Sequence, residues 1–195
     1  DEPAVIIAGF GRFGQITGRI LAANGISFTA LDINAEHIEF VKKFGNRVFY
    51  GDASRLDLLR TAGIEHARVV LVALDDEEAC LRLVTLVREH YPKIQVVARA
   101  HNRSSVRTYR QLGVEHVTRE LLGSSLVAAQ QVLQEYGLSD AASRTMVQLF
   151  ERHDEEILEG SIEIADDIDA LISQDADSRV QLASLFQQDE AEIAG

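Results

Sequence analysis

The stretch VIIAGFGRFGQITGRILAANG, Val5 to Gly25, constrains this chain more than any other. An apolar run leads into Gly9-Phe10-Gly11-Arg12-Phe13-Gly14, which has G-x-G-x-x-G spacing, and a helical pattern follows. The first glycine makes the tight turn, the second lets backbone approach a phosphate, and the third lets helix pack on strand. The helix start then offers free N–H groups and a partial positive charge to an anion. The spacing alone is a weak signal, but its place between a strand and a helix gives it context. An acid completes it: Asp32 ends the second expected strand, 18 residues after Gly14. A carboxylate there accepts hydrogen bonds from ribose hydroxyls and repels a 2′-phosphate, which favours NAD or an adenosine nucleotide over NADP.

The rest of the pattern matches a nucleotide-binding sheet. Six runs rich in β-branched residues predict strands at Val5–Phe10, Ser27–Asp32, Arg47–Tyr50, Val69–Ala73, Gln95–Ala98 and His116–Thr118. Several are continuously apolar, as in a parallel sheet covered on both faces. Helical patterns alternate with them at Gly14–Asn24, Ala35–Phe44, Arg55–Ala62, Asp76–His90 and Ser104–Leu112. Gly25, Gly45, Gly63 and Gly113 stand where helix C-caps belong. The expectation is an α/β, Rossmann-like, doubly wound parallel sheet of six strands. Ligands sit at the carboxyl ends of such strands. The expected nucleotide contacts are therefore Gly9, Phe10, Gly11, Arg12, Phe13 and Gly14, with Asp32 and Ile33, Asp52 and Ala53, Leu74 and Asp75, and Arg99. Asp76 reads equally well as a helix N-cap.

After the sixth strand the character changes. Leu122, Leu126, Ala129, Leu133 and Tyr136 recur at spacings of four and three, a coiled-coil-like seam that favours packing on a second subunit. A second helical pattern covers Ala141–Leu158, and a short one lies near Val180–Phe186. The expected divisions are residues 1–120 for nucleotide binding, 121–159 for crossover and dimerisation helices, and 160–195 for an acidic, partly mobile tail.

Charge and composition exclude several classes. The 195 residues carry a net charge of −12, which argues against nucleic acid. From Gly160 onward nine acids face one base, Arg179. Between Arg99 and Arg119 the balance reverses, with five arginines against Glu115. That suits a small anionic ligand, an acidic partner or a solvated helix face. No run approaches the ~20 apolar residues of a membrane span, and no secretory signal is present. The first residue is Asp1, as expected of a processed chain or an excised fragment. The lone Cys80, read as a half-buried helix residue, fits a reducing compartment. The six histidines (His37, His66, His90, His101, His116 and His153) are scattered and read as surface or loop residues. No cluster has metal-ligand spacing, and no catalytic acid–base set accompanies the glycines. Binding, with no catalytic residue, is the favoured class. A small NAD-dependent oxidoreductase and an NAD(H)-sensing module stand as alternatives.

GFGRFGQ, the acid of "LD", the YGDAS turn followed by LLRTAG, and ARAHNR leading to LGVEHVTRE together resemble the RCK, or KTN, regulatory domains of potassium channels and transporters. Within that family the likeness is to the cytosolic C-terminal domain of Kef, the bacterial glutathione-gated potassium efflux system, and covers about Ala4 to Leu158. The resemblance implies a homodimer on the cytoplasmic side of the inner membrane, beneath an antiporter domain of the same natural chain. It implies AMP as a structural nucleotide, glutathione or its adducts as regulatory ligand, and a flavodoxin-like ancillary subunit. It also implies that Arg19 and Arg119 clamp glutathione carboxylates, that Phe44 senses the adduct, and that Asp154 completes the pocket at a position where asparagine is usual.

Overall fold

The structure is a computed structural model, which describes residues 2–35, 37, 42, 47–161, 177 and 180–184. Most of the expected helix at Ala35–Phe44, the cap at Gly45 and most of the acidic tail lie outside the described residues. Two compact units divide the chain: residues 1–101 with 109–118, and residues 102–108 with 119–195.

The first unit is built on a sheet of order β3-β2-β1-β4-β5-β6. Its strands are β1 (Val5–Ala8), β2 (Phe28–Asp32), β3 (Arg47–Tyr50), β4 (Val69–Val72), β5 (Gln95–Ala100) and β6 (His116–Arg119), the last ending across the boundary in the second unit. Strand β1 lies between β2 and β4, parallel to both, with Val5 opposite Phe28 and Val69, and Ala8 opposite Leu31 and Val72. The order reverses between β1 and β4, which places the switch point at the end of β1. Ile6, Ile7 and Ala8 are fully buried, as are Val70 and Val72. Continuous apolar runs produce this because a parallel strand is covered on both faces.

Helix α1 (Arg12–Ala23) packs on the sheet through its glycines. A Cβ on Gly18 would stand 2.9 Å from the Phe10 ring and 3.1 Å from the Phe28 ring. Those two rings stack at 5.8 Å between centroids and form a core cluster with Ile7, Ala30, Leu71 and Ala73. The glycine lets the helix backbone approach the ring pair, a role additional to the three glycines of the turn. Helix α2 (Leu56–Thr61) follows β3, and a single 3₁₀ turn, Ile64–His66, leads into β4.

Helix α3 (Glu77–His90) terminates itself well. The Asp76 carboxylate accepts the Ala79 N–H at 2.6 Å, Glu77 and Glu78 occupy the first turn, and Arg88 and His90 occupy the last. These charges complement the helix dipole. Its inward stripe is Ala79, Cys80, Leu83, Val84 and Val87. Cys80 is completely buried rather than half-buried, because it falls on that stripe.

In the second unit, helix α4 (Arg103–Gln111) begins where Asn102 Oδ1 accepts the Ser105 N–H at 2.9 Å, and its last residues belong to the first unit. Helices α5 (Leu122–Tyr136) and α6 (Asp140–Gly160) form a hairpin. Gly137 turns the chain at φ 120°, and the Ser139 hydroxyl caps α6 by accepting the Ala142 N–H. Of the expected seam, Leu122, Leu126 and Leu133 are half-buried while Ala129 and Tyr136 are exposed, and no residue of α5 is fully buried. Residues 180–184 are helical, within the expected Val180–Phe186 segment. Among the described residues no helix is long and apolar enough to cross a membrane.

Candidate functional site

The carboxyl ends of four strands in the first unit surround a cavity of about 700 Å³. That lies in the range of small-molecule sites, ~300–1,000 Å³. Its floor is the glycine turn. Gly9 has φ 92°, and a Cβ there would lie 2.4 Å from the Ala73 carbonyl oxygen. A Cβ on Gly14 would lie 2.2 Å from the Gly9 carbonyl oxygen. These two glycines are required by the protein's own packing. Gly11 differs: a Cβ there would meet only His37 Cε1, at 3.8 Å. The open space above Gly11 belongs to the cavity.

The start of α1 faces this space and is left electrically unsatisfied. No side chain caps it, and its first turn holds no acid. The contrast with α3, which is capped by Asp76 and flanked by two glutamates, is direct. An uncapped helix start carries free N–H groups and the positive end of the dipole, which together suit a phosphate.

Asp32 ends β2 beside the turn. Its Oδ2 accepts the Phe10 N–H at 2.6 Å and lies 2.9 Å from His37 Nδ1; its Oδ1 accepts the Asn34 N–H at 2.7 Å. The carboxylate is therefore held in one orientation by its own loop. Two lone pairs on each oxygen leave Oδ1 able to accept a ribose hydroxyl.

Of the residues expected from sequence, Gly9, Gly11, Asp32, Ile33, Asp52, Ala53, Leu74 and Asp75 line the cavity. Phe10 turns its ring into the core and contributes its N–H to Asp32. Arg12, Phe13, Gly14 and Arg99 are not among the lining residues. Asp76 both caps α3 and lines the cavity, so its two readings coexist. His37, Asn34 and Arg82 also line it, and the sequence reading did not single them out. The only sequence signal for His37 is its place five residues after Asp32, at the start of a helical pattern. Asp52, on the far wall, is held below the usual carboxylate range, first by the Ser54 hydroxyl, with Arg82 and Arg55 adding smaller contributions against its partial burial.

The residues expected to hold glutathione are divided between the two units. Arg19 is exposed on α1 in the first unit, and Phe44 lies outside the described residues. Arg119 and Asp154 come together in the second unit, where Asp154, 2% exposed, bridges Arg103 and Arg119. Arg103 was legible only as one of a run of arginines. His153 overturns the surface reading given to the histidines: it is buried, because it shares the inward stripe of α6 with Asp154 and Leu158. Among the described residues no group of three His, Cys, Asp or Glu is placed to hold a metal.

Comparison with known proteins places this geometry in a context. A TrkA-N domain model matches residues 5–120, and a model described as the potassium efflux system KefB C-terminal domain matches residues 124–194. The glutathione-regulated potassium-efflux system protein KefC of Cronobacter sakazakii is 37% identical over 194 residues, all of this chain and 31% of the relative. The chain thus spans about a third of the length of the curated relatives it matches. Among solved structures, the Shewanella denitrificans Kef CTD in AMP-bound form is 38% identical with a TM-score of 0.75, covering 82% of this chain and 98% of that one. The TrkA-N domain of the Escherichia coli inner membrane protein ybaL, 21% identical with a TM-score of 0.60 over 71% of this chain and 98% of that one, shares the fold.

Proposed function

Because this chain belongs to the TrkA-N domain family, we propose that it is a ligand-gated regulatory domain of a potassium efflux, K⁺/H⁺ antiport, system and not an enzyme. It holds AMP in the cavity above the glycine turn and takes glutathione or its adducts as the gating signal. Its natural setting is the cytoplasmic side of a bacterial inner membrane, joined to a transmembrane antiporter domain and paired with a second copy. A flavodoxin-like ancillary subunit is a further partner.

The observation that carries the nucleotide part is the uncapped start of α1 facing a cavity that also contains the Asp32 carboxylate. Phosphate and ribose each find their complementary group there. The AMP named with the Shewanella denitrificans relative supports the choice of nucleotide. For the glutathione part, Arg119 has a planar fork suited to a carboxylate, which the Asp154 carboxylate engages and a ligand carboxylate would have to share or displace. The dimer is supported by α5, which exposes Val127, Val132 and Tyr136. A ligand shifts a two-state module only by its differential affinity for the states. Glutathione and an adduct therefore need unequal affinities, which titration reads directly.

Mass spectrometry of the small molecule released on denaturation tests the nucleotide. AMP supports the reading; NAD or NADH turns it toward a redox sensor or oxidoreductase. Glutathione titration of wild type and Arg119→Ala tests the gating ligand, and equal affinity in the two removes Arg119 from it.

A further inference from the structure

We propose that Arg99 restricts the cavity to a single nucleotide by closing the half of the sheet edge where a second nucleoside would lie. The inference rests on the nucleotide reading above.

A doubly wound sheet of this order offers one mononucleotide seat over β1–β3 and another over β4–β6, and a dinucleotide spans both across the switch point. Here the cavity crosses the switch point but reaches only the first strand of the second seat. Its lining comes from the ends of β1, β2, β3 and β4 and from α3, and among the described residues nothing from β5 or β6 contributes. Arg99 explains the boundary. It lies near the end of β5, and its side chain turns back toward β4. Its Nη2 donates to the Leu74 carbonyl oxygen at 2.6 Å and to Asp75 Oδ1 at 2.7 Å. Both hydrogens of that nitrogen are thereby committed. The guanidinium also stands 5.8 Å over the Phe13 ring, within cation–π range.

The side chain of Arg99 is only 5% exposed. A carbonyl, a carboxylate and a ring fix it together over the carboxyl ends of the paired strands β4 and β5. A second nucleoside would have to pull a buried cation from all three, and no replacement anion stands among these contacts. A mononucleotide needs none of this, because the turn sits at the switch point itself and Asp32 and Asp52 follow β2 and β3, on the far side of β1 from β5. The Asp76 carboxylate, which caps α3 and stands outside the Arg99–Asp75 ion pair, further disfavours extending a phosphate chain in that direction.

The test is calorimetric titration of AMP and NAD⁺ into nucleotide-stripped wild type, Arg99→Ala and Arg99→Met. The methionine keeps the apolar stem in case the alanine fails to fold. The expected result is a preference of wild type for AMP of at least tenfold, reduced at least tenfold in either folded variant by a rise in NAD⁺ affinity. A smaller preference in wild type overturns the proposal. So does a variant whose NAD⁺ affinity does not rise, or one that loses AMP in parallel, which makes Arg99 a phosphate ligand instead. If folded wild type binds neither nucleotide, the underlying nucleotide reading falls and this proposal falls with it.

Discussion

The Phe10 N–H donates to Asp32 Oδ2 at 2.6 Å, so the glycine turn and the acid at the end of β2 are tied together within the protein itself. Asp32 has a structural partner as well as a ligand-facing oxygen. Replacing it by alanine strands a buried N–H, a loss of about 1–3 kcal/mol. Asp32→Ala is expected to lower the urea midpoint and to weaken AMP binding by more than tenfold. Asp32→Asn keeps an acceptor and should recover most of the stability but not the affinity. Calorimetry and urea titration on both variants separate the two roles.

The glycines of the turn should separate in the same way. Gly11→Ala meets only His37, at 3.8 Å, so folding stability should change by no more than ~0.5 kcal/mol. The added methyl group nonetheless occupies the phosphate's approach, and AMP affinity should fall more than tenfold. Gly14→Ala forces a methyl carbon to 2.2 Å from the Gly9 carbonyl oxygen. Overpacking of this kind costs about 1–3 kcal/mol, and here the obstacle is backbone. Thermal melting with and without AMP distinguishes the two substitutions.

Asp154 balances two arginines in the second unit, with Arg119 mostly buried and Arg103 about a third exposed. Removing one partner of a fully buried pair costs about 3–5 kcal/mol. Asp154→Ala should cost somewhat less, on the order of 2–4 kcal/mol, because water reaches Arg103. Asp154→Asn should retain more stability while releasing the arginine forks, so anionic peptides such as glutathione should bind it more tightly than wild type. Unchanged glutathione affinity in Asp154→Asn would show that the carboxylate does not compete for that seat.

Two buried groups predict alkaline sensitivity. Burial pushes the Cys80 thiol above its usual range, and burial, with Cys80 as neighbour, pushes Tyr109 up as well. Unfolded, they lose protons near pH ~8.5 and ~10; folded, they keep them longer. The native state then binds more protons than the unfolded state, so stability falls as pH rises through those values. It is fully retained below them. Tyr109→Phe should flatten the decline above pH 10 in urea midpoints measured from pH 7 to 11.

The sheet was legible because parallel strands leave continuous apolar runs, and the glycine turn because its steric demands leave few other residue types. Asp32 was legible from its place at a strand end. Other features depend on folding geometry that sequence spacing does not encode. Arg103 and Asp154 are 51 positions apart, Arg119 and Asp154 35 apart, and no local pattern announces a pairing over such distances. Arg99 read as one cation of a patch; that it turns toward β4 follows from the register of β5. His37 lines the cavity with its ring against the Asp32 carboxylate, a contact that a spacing of five residues does not announce. His153 was misread because a histidine on an inward helical stripe looks, in sequence, like any other polar residue between glutamates and arginines.

Helix α5 has fifteen residues and none fully buried. A helix of that length is marginal in water without a packing partner. Its backbone amides should therefore behave as a clock, exchanging with deuterated solvent quickly when this face is bare and slowly when it is covered. A helix with no fully buried residue is thus one whose exchange rate reports, without any attached label, the company the chain keeps.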